Sequence, residues 1–293
     1  MFKRTKGELV FDIFLYALMG LLAILFIYPF LNVLALSFND ARDTTLGGIY
    51  LWPRKFTLEN YKTVFQDNKI FTAYGVTIAR TLIGTVTHVL CTATFAYALS
   101  KKQLMFRKFY LTLCIITMFF GGGLIPSVIN LRNLGFMDSF WVYIIPNLYG
   151  IMDMLIIKSF FVTLPPSLEE AARIDGANDL RVFFQIVLPN SKPVIATIAL
   201  MTAVGQWNSW FDAYIYIRNE KLYPLQMLLQ KIVMSAQGAA SIGSSSSAYQ
   251  AGYVTPYSIQ LATLVVAIGP IIFIYPFFQR YFVKGFMLGA IKE

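Results

Sequence analysis

Residues 13–38 read IFLYALMGLLAILFIYPFLNVLALSF, an apolar run bounded by Asp12 and Asp40 with no charged side chain between them. A helix needs about 20 apolar residues to cross about 30 Å of hydrocarbon at roughly 1.5 Å per residue, so this run is long enough. Two further charge-free gaps lie between Arg80 and Lys101 and between Lys108 and Arg132. Composition agrees: of 293 residues, 57% are hydrophobic and 13% charged, against about 25% charged in an ordinary soluble domain. A soluble enzyme, a disulfide scaffold and a disordered chain are excluded. A membrane β-barrel would show short alternating segments rather than continuous runs. The fold class is all-α integral membrane.

Working outward, six spans are expected, near 11–38, 74–100, 107–131, 139–161, 193–217 and 257–281. The start MFKRTKGE resembles a signal peptide, but the run after it is too long for a signal h-region and is read as a retained first span. Lys3, Arg4 and Lys6 precede that span, and Lys101, Lys102, Arg107 and Lys108 crowd the loop after the second. The positive-inside rule puts both clusters in the cytoplasm, and an even number of spans puts both termini there too. Inner-loop basic residues also account for the net charge of +9 without nucleic acid. Cys91 and Cys114 both fall in apolar spans and read as buried thiols.

The inner loop 162–192 carries the densest local signals. In VTLPPSLEEAARIDGANDLRVFFQIVLPNSKP, Pro165 and Pro166 stop the preceding helix, and Ser167 with Glu170 has capping-box spacing. Glu169 and Glu170 suit a first helical turn, and Gly176 suits a C′ position that ends a helix of about two turns. Asn178 is placed to cap a second short helix with Leu180, Phe183, Phe184 and Val187 on one face. Pro189 ends it and Pro193 opens the fifth span. Ala171 and Ala172 leave the first helix bare enough for close approach by a partner. By physics alone, a docking helix and an amphipathic connector lying on the membrane surface both remain open.

Polar residues inside apolar spans are functional candidates by default. Asp153 lies in the fourth span and Asp212 in the fifth; Arg80, near the outer end of the second, is expected to snorkel to headgroups. His88 is the only histidine, so it reads as a hydrogen-bonded packing residue, and no metal site is expected. Gln206, Trp207, Asn208, Trp210 and Asp212 mix amides, a carboxylate and indole rings, which suits a sugar pathway; helix–helix glue with an aromatic belt is the alternative. Asn208 and Asp212 share a face if the helix is continuous. Gly121, Gly122 and Gly123 before Pro126 predict a kink or unwinding in span three.

At Glu170-Ala171-Ala172, Asp175-Gly176-Ala177, Phe184, Ile186, Leu188-Pro189 and Pro193, the inner loop resembles the EAA loop of ABC importer permeases. GGGLIP at 121–126, GQWNSWFDAYIYI at 205–217 and YFVKGFMLGAIKE at 281–293 are similar to the carbohydrate-uptake branch. Within it they look like the smaller maltose-importer permease, in the subgroup serving complex oligosaccharides and polysaccharides such as alginate or pectin fragments. The terminal Glu293 departs from relatives that end in a small residue.

The resemblance implies a permease domain over 11–283 between cytoplasmic segments 1–10 and 284–293. It implies a coupling helix carrying Glu170, Ala171, Ala172, Asp175 and Gly176, with Leu188 and Pro189 behind it. The partners implied are a homologous second permease, two ATPase subunits that bind ATP and Mg, and an extracytoplasmic sugar-binding protein, in a bacterial plasma membrane. The Ser/Gly-rich segment in the outer loop 218–256 reads as a flexible linker, or by resemblance as a scoop loop offering Gln237, Ser244, Ser245, Ser246 and Ser247 to the binding protein. No Gly-x-x-x-x-Gly-Lys phosphate loop occurs and neither membrane aspartate, Asp153 or Asp212, carries a Gly-x-Gly-Asp signature, so no catalysis is expected of the chain itself. The rival reading is a stand-alone secondary transporter or channel, for which few internal ionisable groups are available.

Overall fold

A computed structural model describes residues 6–66, 68–242 and 255–272. Every described element is helical, apart from one isolated antiparallel bridge between Asn39 and Phe56. The chain divides into two compact units, Met1–Asn68 with Leu229–Gly269 and Lys69–Leu228 with Pro270–Glu293.

In the first unit, α1 (Lys6–Ser37) is a single rod whose apolar side chains are exposed from Leu9 to Leu31, as a lipid-facing helix requires. Two short helices follow, α2 (Ala41–Thr45) and α3 (Glu59–Gln66). Asp40 caps α2 by accepting from the backbone N–H groups of Arg42 and Asp43. The buried Asn39 amide donates to Asp43 and Thr44, and Asn60 donates to the carbonyls of Ser37 and Asn39 at 2.9 and 3.0 Å. This side-chain network gives a strandless segment a fixed shape.

In the second unit, α4 (Lys69–Ser100) is the central helix, packed along α7 (Ile151–Thr163) and α10 (Lys192–Asn208). Ala93 and Ala96 are fully buried, and such small residues let neighbouring helices approach closely. They join Val89, Tyr97, Met154, Ile157, Phe161, Val182, Phe183, Val187 and Ile198 in one core. A second core near the start of α4 gathers Leu131, Val142, Tyr143, Ile144, Ala213, Ile217, Tyr223 and Met227.

The expected third span is not a rod. α5 (Arg107–Phe119) and α6 (Leu124–Asn133) meet at 113°. The turn depends on Gly123, whose φ of +84° is in the region that favours glycine. The fourth span bends by 48° where the 3₁₀ turns over 140–147 meet α7. The fifth is shorter than expected: α10 ends at Asn208, Ser209 is extended, and α11 (Phe211–Tyr216) begins anew. Asn208 and Asp212 therefore lie on different helices, contrary to the shared-face expectation. By length and apolar composition α1 and α4 qualify as crossings, and three bent pairs qualify if each is one span.

α12 (Leu225–Ile242) and α13 (Pro256–Ile272) complete the described helices. The segment 218–256, expected to hold a flexible linker, is thus partly helical: Gln237 sits on α12, because LQMLLQKIVMSAQ is dominated by good helix formers. Ser244, Ser245, Ser246 and Ser247, and the tail 284–293, lie outside the described residues.

Candidate functional site

Two places in the second unit concentrate the predicted residues. The first is the loop 162–192. After α7 stops at Thr163, Leu164 and Pro165 run extended and α8 (Pro166–Ile174) begins with Pro166 at its first position, where a missing N–H costs nothing. Proline takes the place expected of a Ser167 cap, and no side chain caps this end. At the far end Gly176, at φ +79°, donates to the Arg173 carbonyl, and the Ala177 N–H reaches the Ala172 carbonyl at 2.9 Å. This is the expected glycine-closed terminus.

Asn178 then caps α9 (Asp179–Asn190), accepting from the Arg181 N–H at 2.9 Å. A π-helical turn over Phe183–Val187 shifts the register of α9. Val182, Phe183 and Val187 are buried while Leu180 and Phe184 are exposed, so the single face predicted for Leu180, Phe183, Phe184 and Val187 is split.

α8 has two faces. Ala172 is buried in the core beside α9, the Glu169 carboxylate pairs with Lys101 at the end of α4, and Arg173 pairs with Asp179 at 2.8 Å. The Lys101 ammonium also lies 4.0 Å over the Tyr97 ring. The opposite face offers Leu168, Glu170, Ala171, Ile174 and Asp175; Ile174 is 86% exposed. Leu188 and Pro189 form the last turn of α9, and α10 starts at Lys192. The Lys101–Glu169 tie escaped the sequence reading, which used Lys101 only as an orientation marker.

The second place is a polar cavity of about 290 Å³ lined by Arg80, His88, Asn147, Asp153, Thr202 and Gln206, among others. It lies between the two apolar cores along α4. Arg80 does not snorkel; it is 1% exposed. Its Nη2 sits 2.6 Å from Asp212 Oδ2 and 2.9 Å from Gln206 Oε1. Nη1 reaches Asp212 Oδ1 at 3.2 Å and the Ser209 carbonyl at 3.3 Å, and Nε reaches Gln206 at 3.2 Å. The guanidinium also stacks 4.2 Å over the Tyr143 ring. All five of its N–H groups have an acceptor, which is why a buried arginine is stable here and has no need of the headgroups. Arg80 spans the break between α10 and α11, satisfying the Ser209 carbonyl at one end and Asp212 at the other.

His88 closes the other side. Its Nδ1 is 2.7 Å from the Asn147 carbonyl, which can only accept, so Nδ1 carries a hydrogen. Its Nε2 is 2.9 Å from Asp153 Oδ2, and one proton is held between the two. The hydrogen-bonded packing role expected of this histidine matches these contacts.

Of the predicted pathway residues, Asp153 and Gln206 line the cavity and Asp212 is tied to Arg80 beside it. Trp207 is buried edge-on to Tyr74, Asn208 is exposed at the end of α10, and Trp210 packs on Phe211 and Tyr214. A readable signal for Arg80 and His88 existed in the stripe Thr77, Arg80, Gly84, His88 and Thr92, which runs along one face at helical spacing. No cluster of three or more metal-ligating side chains occurs among the described residues.

Residues 3–287 match the family described as binding-protein-dependent transport system inner membrane component. The chain belongs to that family. This membership makes it a membrane-embedded permease component and agrees with the family resemblance read from residues 170–193. Relatives in Bacillus subtilis (strain 168) include the protein LplC, 38% identical over 99% of this chain and 97% of its own length. They also include the polygalacturonan/rhamnogalacturonan transport system permease protein YtcP, 36% identical over 97% of this chain and 98% of its own length. In fold, the chain matches a chain of a bacterial ABC transporter involved in the import of the acidic polysaccharide alginate, with a TM-score of 0.87 and 30% identity. That match covers 96% of this chain and 100% of the other.

Proposed function

We propose that this chain is the permease subunit of an ATP-driven importer of oligo- or polysaccharides, with acidic sugars as the substrate class. Full-length similarity to YtcP and to the alginate importer supports that class. In this reading the domain 11–283 crosses a bacterial plasma membrane six times, with segments 1–10 and 284–293 in the cytoplasm. A homologous second permease completes the pathway. Two ATPase subunits bind ATP and Mg, and an extracytoplasmic sugar-binding protein delivers the substrate, meeting the outer segment around Gln237, Ser244, Ser245, Ser246 and Ser247.

The two-sided α8 carries the mechanism. Its free face, with Glu170, Ala171, Ile174 and Asp175, is bare enough to sit in a groove of an ATPase subunit. Its held face, through Glu169, Ala172 and Arg173, passes displacement to α4 and α9 with little slack. Leu188 and Pro189 hand that motion on to α10. Asp153 and Gln206 face the pathway, with Asn208 and Trp210 flanking the helix break. Arg80 has no N–H left for a uronate carboxylate, so that charge is met elsewhere in the complex.

The test is Gly176→Val in the complete complex reconstituted in vesicles. A β-branched residue at φ +79° distorts the end of α8, so ATP hydrolysis is expected to continue while uptake is lost. Normal uptake by this variant would remove α8 from the mechanism.

A further inference from the structure

We propose that residues 46–52, LGGIYLW, form a membrane anchor seated at the headgroup–acyl boundary next to the C-terminal end of α1. The first support is depth. About 20 helical residues cross the hydrocarbon, so counting from Ile13, the first residue of the charge-free run after Asp12, the apolar layer ends near Asn32. Asn32 lies at that edge. Its amide donates to the carbonyls of Ile49 and Tyr50 at 2.9 and 2.8 Å. The chain leaves α1 at Ser37, yet this pair of bonds brings it back to the level of Asn32, about 7.5 Å closer to the bilayer by helical rise.

The second support is that the loop is built. Gly47 and Gly48 both take φ near +70° (+72° and +75°), and the Ile49 side chain is buried. Arg54 bonds the Gly47 carbonyl and pairs with Asp43 at 3.1 Å, while the Asn39–Phe56 bridge closes the base. A frame this well tied holds its apolar residues outward: Leu46 is 78% and Trp52 85% exposed, with Tyr50 and Leu51 between them. In water that arrangement is costly.

The third support is chemistry. The seven residues carry no charge, Arg54 and Lys55 follow after Pro53, and Trp and Tyr are the residues that settle at membrane interfaces. Depth and composition together favour lipid over a protein partner. The proposal rests on α1 crossing the bilayer and is independent of the transported sugar.

The experiment uses the complete complex in vesicles of phosphatidylcholine and phosphatidylglycerol, with Cys91 and Cys114 replaced by Ala and a nitroxide placed at Trp52→Cys. Collision with oxygen, which concentrates in lipid, is compared with collision with a water-soluble nickel chelate. Controls sit at Met19→Cys on α1 and Lys62→Cys on α3. The label at 52 is expected to favour oxygen several-fold over the label at 62. Equal access of the chelate at 52 and 62 overturns the anchor; shielding from both reagents overturns it in favour of a protein contact. Adding Asn32→Leu should return the label toward water, and no change there refutes the tether. A water-exposed label at Met19 would instead refute the crossing of α1, which separates that failure from the others.

Discussion

Replacing Arg80 by Met keeps most of the side-chain volume but removes five donors from a buried place. The Gln206 Oε1 and the Ser209 carbonyl lose the guanidinium at once, and the Asp212 carboxylate keeps only the Ala213 N–H at 2.8 Å. Leaving a buried charge uncompensated costs about 3–5 kcal/mol. Asp212 is 17% exposed and recovers some hydration, which sets the expectation at the lower end, about 3 kcal/mol. At roughly 2–4 °C per kcal/mol for a chain of this size, the thermal midpoint of the purified complex should fall by about 6–12 °C. Asp212→Asn alone should also destabilise, because it leaves the guanidinium undercompensated. The double variant should cost less than the two singles added, with a coupling of about 1–3 kcal/mol. The assay is the midpoint of complex dissociation on heating in detergent, measured for all four members of the cycle. A drop under about 2 °C for Arg80→Met, or strict additivity, would refute the claim that this pair pins the break between α10 and α11.

Gly84→Ala should disturb the same cluster from behind, since a Cβ there would stand 2.8 Å from Gln206 Nε2; a loss of about 1–3 kcal/mol, read as a lower thermal midpoint, is expected. Asp138, at φ +56°, accepts from the backbone N–H groups of Asn219 and Arg218, and these bonds hold its carboxyl below the usual carboxylate range. A folded-state value lowered in this way gives stability that is present above the ordinary carboxylate range and lost as pH falls through the lowered value. The stability gap between the wild type and Asp138→Asn should therefore be full at pH near 7 and shrink on acidification, as measured by thermal midpoints across pH; a gap independent of pH would exclude the carboxylate as its source.

Much of this architecture could be read directly from the residues, because its causes are local. The charge-free run 13–38 is α1, Gly176 and Asn178 mark the helix ends they were expected to mark, and the triple glycine breaks span three. Long-range partners were harder. Arg80 near the end of an apolar span has two solutions, reaching for headgroups or finding a buried carboxylate, and only the fold brings Asp212, 132 positions away, within reach. The break at Ser209 was hidden for a related reason: nothing in QWNSWFDA forbids a helix, and the extended backbone there is held by bonds from α4. The split face of α9 came from a π-helical turn, which a 3.6-residue periodicity cannot anticipate.

The length of α4 has a mechanical meaning. It runs 32 residues without a proline, so it is a stiff strut of about 48 Å. Lys101, gripped by Glu169, follows directly on its last residue, while His88 and Arg80 are mounted about 20 and 30 Å up its shaft. Any axial displacement of Lys101 therefore reaches both polar clamps along one continuous helix, with no intervening joint to absorb it.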